Sequence, residues 1–157
     1  MHMNIPIIKQ VPPEFVGGKT LYCSDQGKFF SAQGRELKSH FTPGMQNHKG
    51  GSNYPCMCNF SNRLCHHLVW ETFVGPRTKG MEIDHINGDK MNWSLANLEE
   101  VTPAENRKRA KILRAMRGAG NDPKNYTPEH LKRIFAQYDL CDPTVLMDRS
   151  FRDRAES

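Results

Sequence analysis

The segment from Met81 to Arg117 leaves little freedom in how it can fold. Met81 to Ile86 reads as a strand, and Asn87-Gly88 is a strong turn dipeptide. Asn97 to Val101 reads as a second short strand. Thr102 then has the side chain of a helix N-cap, Pro103 sits at the first helical position, and Glu105 lies three residues after the cap. A capping box and an N1 proline are independent start signals, and together they predict a helix from Pro103 to about Met116 or Arg117. Gly118 and Gly120 stop it. The order is strand, loop, strand, helix, which folds the segment back on itself.

That return brings chemistry-bearing residues toward one place. Asp84 and His85 are adjacent in the first strand, Asn97 lies 12 residues after His85, and Asn106 lies 21 after it, near the helix start. A carboxylate and an amide oxygen are hard ligands suited to a hard divalent cation such as magnesium. Water and a substrate phosphate would complete the shell. A neutral histidine, with a reference pKa of about 6.5, can take a proton from water near neutral pH. The set suits metal-assisted phosphodiester hydrolysis. Adjacent residues in a regular strand face opposite sides, so Asp84 and His85 serve one site only where the strand twists or ends.

Two runs resemble HNH endonucleases of the phage and intron homing type. They are Cys65-His66-His67-Leu68-Val69-Trp70-Glu71-Thr72-Phe73 and Glu82-Ile83-Asp84-His85-Ile86-Asn87-Gly88-Asp89-Lys90, the second followed by Asn97-Leu98 and Glu105-Asn106. The resemblance covers roughly residues 65–108. It implies an α+β chain with a ββα-metal core, two strands and a helix around one cation. It also implies roles: His85 as general base, Asp84 and Asn106 as metal ligands, and Asn97 orienting the loop or the His85 ring. His66 matches an upstream family histidine with an expected structural role. The resemblance further implies Mg2+, with Mn2+ as an alternative, and products bearing a 5′-phosphate and a 3′-hydroxyl. One departure is Trp93-Ser94, where family members often carry Asn-Arg before the leucine matched by Leu95. It touches substrate contacts more than ligands.

Charge supports a polyanionic partner. The chain of 157 residues has a net charge of +5. Residues 101–137 alone hold nine Lys and Arg against three Asp and Glu, while the flanking regions nearly cancel. Arg107, Lys111, Arg114 and Arg117 recur at helical spacing and share one face. Like charges so placed cost a helix roughly 0.2–0.5 kcal/mol per pair, which a phosphate backbone would offset. Double-stranded DNA is the expected partner, bound by a monomer or a homodimer.

The rest of the chain divides into an N-terminal strand-and-turn region, residues 1–64, and a C-terminal helix with an acidic tail, residues 121–157, on either side of the core at 65–120. The N-terminal region, around Tyr22-Cys23-Ser24-Asp25-Gln26-Gly27-Lys28, loosely resembles the accessory DNA-contact modules of such nucleases. Thr127-Pro128-Glu129 starts a further helix running to about Tyr138, while residues 42–53 and the tail after Asp142 read as unstructured. Cys56, Cys58, Cys65 and His66 form a weak zinc pattern, because paired zinc cysteines usually have two to four residues between them. Neither a signal peptide nor an apolar run of membrane-spanning length is present, so a cytoplasmic setting is expected, in a bacterial host or from a phage. Two rivals remain at this level: a DNA-binding protein with an inactive nuclease site, and a zinc-binding interaction module.

Overall fold

The structure, a computed structural model, describes residues 4–41 and 54–138. The expected loop at 42–53, the acidic tail and Met1-His2-Met3 lie outside the described residues. The chain forms two compact units, Met1–Thr78 with Lys90–Leu98, and Lys79–Asp89 with Glu99–Ser157.

In the first unit, strands β1 (Ile8–Gln10), β2 (Tyr22–Ser24), β3 (Phe29–Phe30) and β4 (Glu36–Leu37) form an antiparallel sheet in chain order. The strands are short because turns interrupt them. Gly27 has φ 86° and Gly34 φ 81°, in the left-handed region that glycine enters without a Cβ clash. Cys23 pairs with Phe29, and both are buried, whereas their neighbours Tyr22 and Phe30 are half-buried. That alternation marks the inner sheet face.

A second antiparallel sheet holds β5 (His40–Phe41), β6 (Pro55–Met57) and β7 (Arg63–Leu64). Strand β6 stops at Met57, where Phe60 N–H donates to the Met57 carbonyl and turns the chain. Ser61 and Asn62 take positive φ of 60° and 52°, as the turn between β6 and β7 requires. Helix α1 (Cys65–Phe73) buries Cys65, Leu68 and Val69 against β1, β2, β6 and β7. Buried Glu71 on this helix is paired with Arg63 and, at 3.1 Å, with Arg77.

The second unit contains β8 (Glu82–His85), most of β9 (Leu98–Val101), α2 (Pro103–Gly118) and α3 (Pro128–Tyr138). The two strands pair as a two-stranded sheet. The expected strand from Asn97 begins one residue late, because Leu95–Asn97 forms a 3-10 turn. Gly88, with φ 73°, closes the Asn87-Gly88 turn by donating to the His85 carbonyl at 2.7 Å. Thr102 Oγ1 accepts from Glu105 N–H at 3.1 Å, and Pro103 opens α2 as expected. The other half of the capping box is replaced: the Glu105 carboxylate pairs with Lys108 and Arg109 instead. Ile86, Ile112, Leu113, Met116, Leu131, Ile134 and Phe135 form the core of this unit. Each carries roughly 1.5–3 kcal/mol of burial, enough to hold α2 against α3 and the β8 end.

Candidate active site

Alternation along β8 decides what meets α2. Glu82 and Asp84 share one strand face, while Ile83 and His85 lie on the other and are buried. Asn106 and Arg109 are three residues apart, so they share one side of α2. The two faces meet: Asn106 Nδ2 donates to Glu82 Oε2, and Arg109 Nη1 donates to Asp84 Oδ2 at 3.2 Å. Asp84 and Asn106, both expected as ligands, therefore lie on one strand–helix seam.

Asp84 is only 12% exposed, and burial pushes its carboxyl above the usual range, an effect Arg109 partly reverses. A buried carboxylate in that condition is a good partner for further positive charge. Asn106 has its nitrogen committed to Glu82, so its oxygen is the atom available to a cation. These hard oxygen donors fit a hard divalent ion, with water and phosphate as the remaining ligands. Among the described residues, no group of three or more His, Cys, Asp or Glu is placed to hold a metal by itself.

His85 is the last residue of β8 and is 5% exposed. The strand ends there, and the Asn87 side chain caps the turn by accepting from Asp89 N–H at 2.9 Å. Asn97 is also buried, and its Nδ2 donates to the Asn92 carbonyl at 2.9 Å. Trp93, the residue that departs from the family pattern, donates its indole N–H to the Gly27 carbonyl. A Cβ on Gly27 would lie 2.6 Å from the Trp93 ring, so the glycine admits the indole. Trp93 thus anchors its loop to the β2–β3 turn. His66 is buried, with its ring 5.1 Å from Tyr54 and 4.3 Å from His67.

The basic block separates into two kinds of cation. Arg107, Lys111, Arg114 and Arg117 are all exposed, and none forms an ion pair with a described residue. Arg109 is different, and sequence reasoning missed it by counting it with the block. It is buried, pairs with Glu99 at 2.7 Å and with Glu105 at 3.1 Å, and stacks over Phe135 at 4.8 Å. Its three-residue offset from Asn106 was the available signal.

The Cys56 and Cys58 sulfurs are 3.5 Å apart, and burial pushes the Cys65 thiol up to about 12. A cavity of about 200 Å³ lined by Arg35, Lys38, His40, Met57, Cys58 and Phe60 lies in the first unit, and none of the expected catalytic, divalent-metal or DNA-contact residues lines it.

Residues 63–108 match the family described as HNH endonuclease. The chain is 36% identical over 90 residues to "SPbeta prophage-derived putative HNH homing endonuclease YosQ" of Bacillus subtilis (strain 168), a match covering 57% of this chain and 44% of that protein. It is 49% identical over 41 residues to "Protein 3.8" of Escherichia phage T7, covering 26% of this chain and 34% of that protein. The matches thus span less than half the length of these curated relatives. No solved structure matches. No helix among the described residues is long and apolar enough to cross a membrane.

Proposed function

We propose, from the match of residues 63–108 to the HNH endonuclease family, that this chain is a divalent-metal-dependent endonuclease that hydrolyses DNA phosphodiester bonds. The observation that carries the reading is the seam between β8 and α2, with Asp84 on the strand and Asn106 on the facing helix surface. Asp84 Oδ1 and Asn106 Oδ1 would hold the cation, with Mg2+ favoured and Mn2+ a substitute. A cation bound there supplies charge stabilisation at the scissile phosphate and the leaving oxygen. His85 accepts the proton of the attacking water. It sits at the strand end, where the Gly88 N–H donates to its backbone carbonyl and closes the turn. Asn97 holds the Asn92 loop that leads back into β9. The products carry a 5′-phosphate and a 3′-hydroxyl.

Arg107, Lys111, Arg114 and Arg117 hold the DNA backbone along the outer side of α2. Such contacts position the duplex without reading sequence. The N-terminal strand-and-turn region serves as an accessory DNA-contact module. The name of the Bacillus subtilis relative extends the reading to homing, that is, cleavage at a chosen site by nicking or by a dimer cutting both strands.

Supercoiled plasmid with Mg2+ or Mn2+ tests this. The wild-type chain converts it to nicked or linear form, EDTA stops the conversion, and His85→Ala abolishes it. Equal cleavage by His85→Ala would remove His85 from the mechanism. DNA binding without cleavage by the wild type would leave a DNA-binding protein with an inactive site. Stoichiometric zinc with no salt-sensitive DNA affinity would favour an interaction module.

A further inference from the structure

We propose that Arg109 is a positioning residue of this site: an internal cation that holds one oxygen of Asp84 and so presents the other to the divalent ion. The inference rests on the reading of Asp84 as a ligand.

The arrangement is specific. The Arg109 side chain is 8% exposed and faces three carboxylates, with Nη1 3.2 Å from Asp84 and 2.7 Å from Glu99, and Nε 3.1 Å from Glu105. Two of these carboxylates have a second cation: Lys108 lies 3.1 Å from Glu105, and Lys132 lies 3.9 Å from Glu99. Asp84 has no cationic partner but Arg109 among the described residues. The most buried carboxylate of the three is therefore the one that depends on the guanidinium alone. Lysine could not do the same work, since a single ammonium lacks the planar fork that reaches carboxylates in different directions while stacking on Phe135.

The consequence concerns charge. With Arg109 present, three carboxylates meet three monovalent cations, and the formal charges of the cluster balance. Without Arg109 the cluster holds uncompensated buried negative charge, and a divalent ion becomes the available substitute. An arginine that merely packs would create no such dependence.

Thermal unfolding of the full chain with and without millimolar Mn2+, alongside free-Mn2+ measurement by electron paramagnetic resonance, tests the proposal. In the absence of cation, Arg109→Met should melt about 10 °C below wild type, the scale of breaking a buried pair. Its Mn2+-induced rise in Tm should exceed the wild-type rise severalfold, while its cleavage rate falls. Arg109→Lys, which keeps the charge, should retain the wild-type cation response with slower cleavage. The same Mn2+ response in Arg109→Met as in wild type would overturn the proposal, leaving Arg109 a core ion pair. Should Arg109→Met not fold, the comparison moves to a Glu99→Gln/Glu105→Gln background, where the Met variant should still show the larger Mn2+ response through Asp84. Equal responses there would also overturn it. A wild-type chain that binds no Mn2+ would overturn the metal reading and this inference together. Wild-type binding with an unaltered variant response would overturn the inference alone.

Discussion

The two sides of α2 carry positive charge in opposite ways. On the inner side, Arg109 is buried and surrounded by Asp84, Glu99 and Glu105. On the outer side, Arg107, Lys111, Arg114 and Arg117 are exposed and have no ion-pair partner among the described residues. The inner charge is spent within the protein, and removing it leaves buried carboxylates unpaired. The outer charges repel one another by roughly 0.2–0.5 kcal/mol per pair, a small cost that only an external anion offsets. On the proposed reading, one helix separates the placing of catalytic groups from the holding of a polyanion. A net charge counted along the sequence cannot make that distinction.

The largest expected effect falls on the proposed catalytic groups of β8. His85→Ala should lower the cleavage rate by about 100- to 10,000-fold, the range for losing a general base, in a single-turnover assay with saturating DNA. Asp84→Asn should also stop cleavage, yet at neutral pH its Tm should be no lower than wild type. The sign follows from burial: the folded carboxyl titrates above its unfolded value, so ionised Asp84 costs stability. That cost is absent below the ordinary carboxylate range and grows as pH rises through the raised folded value. Melting both proteins across that pH window measures it, and a lower Tm for Asp84→Asn at neutral pH would contradict the account.

On the outer side, replacing Arg107, Lys111, Arg114 and Arg117 together by Gln should reduce the slope of log affinity against log salt by about 3–4. Its Tm should stay within about 2 °C of wild type, because exposed substitutions move stability little. A variant that binds with the wild-type salt slope would erase the distinction between the two faces. The smallest effect concerns the cap that sets where both faces begin. Thr102→Ala should cost about 1 kcal/mol, or about 2–4 °C in Tm, through loss of the bond to Glu105 N–H.

Much of the second unit was legible in the sequence because its signals are local. Thr102, Pro103 and the Asn87-Gly88 turn act through neighbours a few residues away, and α2 and β8 appear where they predict. The convergence of Asp84 and Asn106 on one seam followed from element order. The roles of Arg109 and Glu99 were not legible, because their pairing depends on which helix side meets which strand face. The short strands β1, β4, β5 and β7 were also missed, since two or three residues carry no readable period. The part played by Trp93 was hidden because it depends on a long-range contact. Its partner Gly27 is 66 residues away.

Single-turnover cleavage at saturating DNA and low salt tests the division of labour most directly. The outer-face Gln variant, once driven onto DNA, should cleave at close to the wild-type rate, while His85→Ala remains at least about 100-fold slower at any DNA concentration. An outer-face variant that stays slow when fully bound, or a His85→Ala chain that recovers with added DNA, would contradict it.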